Sequence, residues 1–142
     1  MKRKSARQSL IEEADAWVKA IVLHRQDDRC LREGLTPPRC GGPLQGAHIL
    51  RKGGKYISIR HHLLNVIGLC RNHHMFWAHL YEHDFYEWIE QSYPGRITLL
   101  RETALTPHRK TDLKELVCVL KAEYAAETGT ARATEGDSRS TL

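Results

Sequence analysis

The segment NVIGLCRNHHMFWAH, residues 65–79, decides the fold, and the shorter segment GAHIL, residues 46–50, belongs with it. Both contain short apolar runs bounded by polar residues or glycine, which is typical of strands. We predict a first strand over 44–50 and a second over 65–69. A helix is expected to begin near Arg71 and to carry four side chains: His73, His74, Trp77 and Leu80. The predicted order is strand, long connector, strand, helix.

The spacing of cysteine and histidine indicates a structural zinc site. Cys70 and His73 are spaced C-x-x-H, and Cys30 and Cys40 lie upstream of them. Structural zinc prefers four such ligands in a tetrahedron, and cysteines in an intracellular chain favour metal over disulfides. The nine residues 31–39 would then loop out between two ligands. The alternative is that these are unrelated reduced thiols.

Three polar residues stand in otherwise apolar runs: His48, Asn65 and His74. Burying a polar group without a partner costs free energy, so each needs a partner or a function. For His48 the alternative to a function is a structural core histidine. For Asn65 it is a turn residue placed before a strand.

The order His48, Asn65, His74, with the last histidine directly after the C-x-x-H element, resembles the HNH endonucleases. These are ββα-metal nucleases, and the phage-type members with a zinc knuckle are the most similar. The resemblance covers roughly residues 30–79, about a third of the chain. It implies a metal-dependent endonuclease that hydrolyses or nicks DNA phosphodiester bonds. A phage-encoded member would act in the cytoplasm of its host.

The resemblance also implies a role for each residue. His48 would be the general base, since imidazole has an ordinary pKa near neutrality. Asn65 would hold the connector and orient the histidine, because an amide donates and accepts without titrating. His74 would hold the catalytic ion, Mg²⁺ or Mn²⁺, together with waters and substrate oxygens. The knuckle ligands would bind structural zinc: Cys30, Cys40, Cys70 and His73.

One position departs from the family. Many members place Asp or His directly before the general base as a second metal ligand, and here that residue is Ala47. His79 follows His74 by five residues, which lies off the i+4 face of a regular helix. His61 and His62 in the connector are further substitutes. Weak metal binding or partial loss of activity would follow from this departure.

Composition fits one small domain with a polyanionic partner. The chain has 142 residues, is 41% hydrophobic and carries a formal net charge of +5, and its pI is near 9.2. Basic residues border the expected site and are predicted to contact DNA phosphates, although a solvated charged loop is an equal alternative for each: Arg51, Lys52, Lys55 and Arg60. No run of about 18 apolar residues occurs, so no membrane span is expected. No apolar segment follows the basic N-terminus, so a cytoplasmic location is expected.

The predicted fold class is α+β, with a small zinc-braced ββα core and helices before and after it. We expect a basic arm over 1–8, a nuclease domain over 9–127 and a disordered tail over 128–142. Within the domain the core spans 30–82 and the helical C-terminal part spans 83–127. Helices are predicted over 9–24, 85–92 and 97–104, and a last one capped by Asp112. Cys118 is expected to be a small buried hydrophobe, and the alternating run 56–60 to extend the hairpin arm.

Two other functions compete with the nuclease. The first is a non-catalytic zinc-knuckle protein that binds nucleic acid, derived from an HNH nuclease that lost cleavage together with the ligand at Ala47. The second is a zinc-stabilised module for protein interaction.

Overall fold

A two-stranded antiparallel sheet lies at the centre of the fold. The computed structural model describes residues 2–107 and 109–130. Strand β1 (Leu44–His48) pairs with β2 (Val66–Cys70), and Gly46 lies opposite Gly68. The helices are α1 (Ala6–Arg25), α2 (Arg71–His73), α3 (Glu82–Ser92), α4 (Arg96–Leu105) and α5 (Leu113–Thr128). The predicted α+β class is confirmed.

Helices α1 and α5 pack together on one side of the sheet. The Ser5 hydroxyl caps α1 by accepting from the Gln8 amide at 3.1 Å. The Asp112 carboxylate caps α5 as predicted, accepting from the amides of Lys114 and Glu115. These residues form a buried cluster between the two helices and β2: Ala14, Val18, Ile21, Val22, Val66, Val117 and Leu120. No helix in the described part of the chain is long and apolar enough to cross a membrane.

A second cluster lies on the other face of the sheet. It includes Ala47 and Ile67, which are paired across the strands, together with Leu69. Further along the chain it includes the Trp77 ring, which lies edge-on to Phe85 and to Trp88, with ring centroids 5.4 Å apart in both cases. Further members come from the connector, α3 and α4: Ile49, Leu50, Ile59, Ile89, Ile97 and Leu100.

The close contact between α1 and β2 depends on Gly68. A Cβ at this position would lie 2.5 Å from Leu23 Cδ2 and 2.8 Å from Gln26 Nε2. The Gln26 side-chain amide donates to the Gly68 carbonyl at 3.0 Å and accepts from its amide at 2.8 Å. The Leu31 amide also donates to the Gly68 carbonyl, at 2.9 Å. The backbone of β2 is therefore tied to α1 and to the loop that follows it.

The connector between the strands does not extend the hairpin, so the expectation of a strand over 56–60 is wrong. Gly54–Ile59 and Leu63–Asn65 are 3₁₀ turns. Because His48 pairs with Val66, the chain must reverse direction within the residues between them. The turns achieve this reversal while burying Ile59 and leaving Ile57 62% exposed.

Three further expectations need correction. The element after β2 is not a regular helix through Leu80, because α2 passes into a π-helical turn over His74–Ala78, and Leu80 is exposed. Cys118 is exposed rather than buried. The buried residues of α5 are Val117 and Leu120, and a neighbour in sequence is rotated by about 100° on a helix. The tail was expected from Thr128, which still belongs to α5, and 131–142 lie outside the described residues.

Candidate functional site

The four predicted zinc ligands lie together. The ligand atoms of Cys30, Cys40, Cys70 and His73 are all within 4.8 Å of one another. The three sulfurs lie 3.4, 3.4 and 3.3 Å from His73 Nδ1. Tetrahedral zinc, with bonds of about 2.3 Å to sulfur and about 2.0 Å to nitrogen, separates such atoms by roughly 3.5 Å. The donor set and its geometry therefore fit a metal ion such as zinc.

Local structure aims each ligand inward. The Cys70 sulfur caps α2 and accepts from the His73 amide at 3.4 Å. His73 Nε2 donates to the Leu35 carbonyl at 2.9 Å, which leaves the Nδ1 lone pair facing the sulfurs. An imidazole that ligates a metal commonly donates its other N–H to a carbonyl in this way. The predicted insertion after Cys30 thus returns to hold a ligand of the cluster.

A metal ion at the cluster has to compete with protons for the thiols. Burial raises the pKa of the Cys30 thiol to about 12 among the protein groups alone. A metal ion must displace that proton, because thiolate is the form that ligates. Metal binding at this cluster should therefore release protons and weaken in acid.

Asn65 is fully buried and holds the connector against the core. Its Oδ1 accepts from the Leu50 amide at 2.8 Å, and its Nδ2 donates to the carbonyls of Leu50 at 3.1 Å and Ile59 at 3.3 Å. Both ends of the amide are thus satisfied, as a buried amide requires. These contacts give Asn65 the connector-holding role that the resemblance implies, without a direct hydrogen bond to His48.

His48 ends β1 and is held by a backbone group. Its Nε2 lies 2.9 Å from the Arg60 carbonyl oxygen. A carbonyl can only accept, so Nε2 must carry the hydrogen and Nδ1 keeps its lone pair. Burial lowers the pKa of His48, and this effect outweighs the hydrogen bond to Arg60. The neutral imidazole is therefore the form present at neutral pH.

His74 lies beside His79, because the π-helical turn changes the spacing of the side chains. The His79 amide donates to the His74 carbonyl five residues earlier, at 3.2 Å. Their ring centroids are 4.5 Å apart. The expectation that His79 lies off the useful face holds for a regular α-helix but fails here, because an i+5 bond aligns residues five apart.

The His74 ring is prepared to act as a ligand. Its Nδ1 donates to Gln45 Oε1 at 2.8 Å, which leaves Nε2 with the lone pair. Burial lowers the pKa of His74 to about 4, and interactions with the neighbouring His79, His48 and Lys52 act in the same direction. A neutral imidazole with a free nitrogen is the form that binds a metal ion.

One cleft of about 780 Å³ brings these groups together. His48, His74 and His79 line it, with Ala47 at its base, 1% exposed. Its charged and polar lining residues come from α1, the connector and α3: Asp15, Lys19, Arg51, Lys52, Arg60, Glu82 and Tyr86. The lining combines the neutral imidazoles of His48 and His74 with basic side chains, and such a combination can accommodate an anionic group.

The four residues predicted to bind phosphate differ in their position relative to the cleft. Lys52 and Arg51 line the cleft, and Arg51 lies 3.4 Å from Glu82 at its exposed rim. The Arg60 guanidinium is paired with Asp15 at 2.6 Å. Lys55 is not among the residues that line the cleft and instead lies 5.1 Å from the Tyr56 ring centroid.

The alternative metal ligands of the connector also lie elsewhere. His61 Nε2 is 2.8 Å from Asp15 Oδ1, and His62 Nδ1 accepts from the Leu64 amide at 3.1 Å. Neither residue is among those that line the cleft. Both histidines stabilise the connector in its turns.

Sequence reasoning missed two residues that line the cleft and one that holds a cleft histidine, His74. Asp15 and Lys19 of α1 line the cleft, and their i, i+4 spacing beside buried Val18 was a usable signal. Gln45 shares a strand face with Ala47, since residues two apart point the same way. The i+5 pairing of His79 had no signal in the sequence.

The chain was compared with protein-family models, with curated proteins and with solved structures, and no significant match was found.

Proposed function

We propose that this chain is an HNH-type endonuclease that hydrolyses or nicks DNA phosphodiester bonds with a divalent metal ion. The observation that carries the proposal is one cleft shared by His48 and His74, whose neighbour His73 belongs to the Cys₃His cluster. In this proposal the cluster binds structural zinc and fixes the start of α2 against the loop before β1. That brace keeps His74 in register with β1.

His48 is the general base of the proposed reaction. Its neutral imidazole keeps a lone pair on Nδ1 while Nε2–H is held by the Arg60 carbonyl. A base of this kind accepts a proton from the attacking water and typically contributes about 10²–10⁴-fold in rate. Asn65 supports it indirectly, because it bonds Leu50 and Ile59 and so holds the connector that carries the Arg60 carbonyl.

His74 and His79 would hold the catalytic ion, Mg²⁺ or Mn²⁺. When bound, such an ion stabilises the charge that develops on the phosphate oxygens. The paired imidazoles supply nitrogen donors, and Ala47 supplies none, so this donor set fits Mn²⁺ better than Mg²⁺. His79 thus takes the place of the ligand that is missing at position 47.

Contacts to DNA phosphates are proposed for Lys52 and Lys19, which line the cleft from the connector and from α1. Arg51 contributes at the rim, where its partner Glu82 is 47% exposed and competes weakly. Such contacts position the substrate without reading its sequence. The formal net charge of +5 adds to the attraction, which falls as salt is raised.

A second candidate function is a zinc-knuckle protein that binds nucleic acid without cutting it. The observation that favours it is Ala47, which gives the floor of the cleft no charged ligand. In that case the same basic lining would hold DNA, and the histidine pair would have lost its ion.

Incubation of supercoiled plasmid with Mg²⁺, Mn²⁺ or EDTA, followed by a gel, separates these functions. The nuclease predicts nicking with metal, none with EDTA and none from His48→Ala at the same concentration. A gel shift without nicking would favour the binding protein. If the gel shows no nicking and no shift, both functions are contradicted and a module for protein interaction is favoured. Cleavage by His48→Ala equal to that of the parent would exclude His48 as the general base.

A further inference from the structure

A single carboxylate on α1 holds two consecutive residues of the connector. Asp15 receives the Arg60 guanidinium through two hydrogen bonds, Nε to Oδ1 at 3.0 Å and Nη2 to Oδ2 at 2.6 Å. His61 Nε2 lies 2.8 Å from the same Oδ1. The three side chains are 27%, 19% and 13% exposed, so solvent competes little for these contacts. Bidentate pairing of this kind fixes orientation as well as distance.

The peptide group that joins Arg60 to His61 is also the hydrogen-bond partner of His48. The Arg60 carbonyl belongs to the bond joining Arg60 to His61, and it accepts from His48 Nε2 at 2.9 Å. Asp15 thus contacts the side chains of both residues that flank this carbonyl, Arg60 and His61. Burial alone would raise the pKa of Asp15, but the neighbouring His61 and the hydrogen-bonded Arg60 guanidinium lower it well below its usual range. The carboxylate is therefore charged, as the grip requires.

We propose that Asp15 is a positioning residue for His48: it fixes the Arg60–His61 peptide so that the carbonyl holds the hydrogen on Nε2 and leaves Nδ1 free as the base. The catalytic role of His48 in this inference rests on the proposed function. The link between Asp15 and the tautomer of His48 does not. It makes α1 part of the site, although α1 lies outside the segment that resembles a nuclease core. It also explains why a residue expected to grip phosphate is turned towards α1.

The tautomer can be measured without any substrate. Long-range ¹H–¹⁵N correlation spectra of the full chain, labelled with ¹⁵N-histidine, show which nitrogen of His48 carries hydrogen at neutral pH, with assignment from the loss of its signals in His48→Gln. The parent is expected to be protonated on Nε2. Asp15→Asn, which keeps the shape and removes the charge, should give a mixture of tautomers. Glu13→Gln makes the same change of charge on an exposed position of α1 and should keep the parent spectrum.

The kinetics of nicking supercoiled plasmid provide the second measurement. Asp15→Asn should lower kcat by about 10- to 100-fold, the range typical for residues that orient a functional group, with KM within about twofold. Asp15→Glu should recover part of kcat by restoring the carboxylate. A role of Asp15 in holding DNA would instead raise KM and leave the His48 spectrum unchanged, which would overturn the proposal.

Two results would overturn the proposal. Protonation of His48 on Nδ1 in the parent overturns the proposal, as does a parent-like tautomer in folded Asp15→Asn. If Asp15→Asn does not fold, Arg60→Lys takes its place, because lysine keeps the charge but loses the two-point grip, and the same two spectra decide. If no variant or parent cuts DNA, the proposed function fails, and the tautomer measurement alone still tests the link between Asp15 and His48.

Discussion

His48 owes its state to two neighbours of different kinds. The Arg60 carbonyl fixes the position of its hydrogen, and burial in the cleft keeps the ring neutral by lowering its pKa. The carbonyl accepts from Nε2, and within residues 2–107 and 109–130 no hydrogen bond uses the lone pair of Nδ1. Removal of the ring therefore removes the proton acceptor while leaving the backbone around it with its other hydrogen bonds.

Replacing His48 by alanine should abolish cleavage and spare the fold. The rate is expected to fall by about 10²–10⁴-fold, the usual cost of losing a general base. Zinc content, the circular dichroism spectrum and the affinity for uncut DNA should remain those of the parent, because the ring contacts none of the Cys₃His ligands. His83→Ala, an exposed histidine of α3, is the matched control and should cut normally. Parent-like cleavage by His48→Ala would exclude His48 as the base.

The neighbouring Ala47 allows the metal site to be tested by gain as well as loss. Ala47→Asp places a carboxylate in the cleft that His74 and His79 line, and should lower the Mg²⁺ concentration giving half-maximal cleavage. His74→Ala and His79→Ala should each raise it or abolish cleavage, with zinc content unchanged. The parent itself should need less Mn²⁺ than Mg²⁺.

A metal titration of nicking for the parent and the three variants measures these effects. An unmoved midpoint in Ala47→Asp, together with normal cutting by His74→Ala, would place the ion elsewhere. Loss of activity in His74→Ala but not in His79→Ala would leave His74 as the main protein ligand. The i+5 pair would then have no function in metal binding.

The important residue types were predictable from the sequence, and their partners were not. His48, Asn65 and His74 stand out because polar groups within apolar runs need a reason. The groups that hold them are backbone atoms of Leu50, Ile59 and Arg60, or side chains such as Gln45. Such partners are set by how the connector folds, which residue type alone does not specify.

At the scale of elements, the turn after α2 has a hydrogen-bonding pattern that the sequence does not predict. The helical pattern over 71–80 correctly indicates a helical start, but it cannot distinguish i+4 from i+5 hydrogen bonding. The π-helical turn His74–Ala78 decides which histidines meet, because it brings His79 onto the ring of His74. In the connector, alternation indicated a strand, and the need to reverse direction between paired His48 and Val66 produced 3₁₀ turns instead.

The contact between α1 and β2 should be the element contact most sensitive to a small change. Gly68→Ala places a methyl group 2.5 Å from Leu23 Cδ2, so α1 must shift or the Gln26 hydrogen bonds must lengthen. Overpacking of this kind typically costs about 1–3 kcal/mol in the free energy of unfolding. Gly53→Ala is the control, since nothing lies within 4 Å of its Cβ and its φ is not positive.

Urea unfolding of the two variants and the parent, with zinc content measured alongside, gives the comparison. We expect Gly68→Ala to lose stability with zinc retained, because Gly68 is not one of the four residues of the Cys₃His cluster. Equal stability of the two variants would mean that α1 adjusts freely. The attachment of Asp15 to the connector would then be less rigid than the structure indicates.

At the scale of the whole molecule, β2 divides the interior into two cores. Val66 packs with α1 and α5, whereas Ile67 and Leu69 pack with α3 and α4, as the alternation of side chains along a strand requires. The cluster of thiols and His73 joins the loop after α1 to the end of β2. A sheet of two strands is marginally stable alone, so this cross-link and the two helical layers have to hold it.

Zinc should therefore control the stability of the whole fold. We predict one tightly bound zinc per chain in protein purified without added metal, and cooperative unfolding when a strong chelator removes it. Cys70→Ala should lose zinc and unfold, because Cys70 is both a ligand and the cap of α2. Cys118→Ala changes an exposed thiol outside the cluster and should keep both zinc and the melting temperature. Elemental analysis and thermal melts of the parent, Cys70→Ala and Cys118→Ala measure zinc content and stability. Full zinc occupancy in Cys70→Ala, or an unchanged melt after chelation, would contradict the assignment of a structural zinc to the Cys₃His cluster.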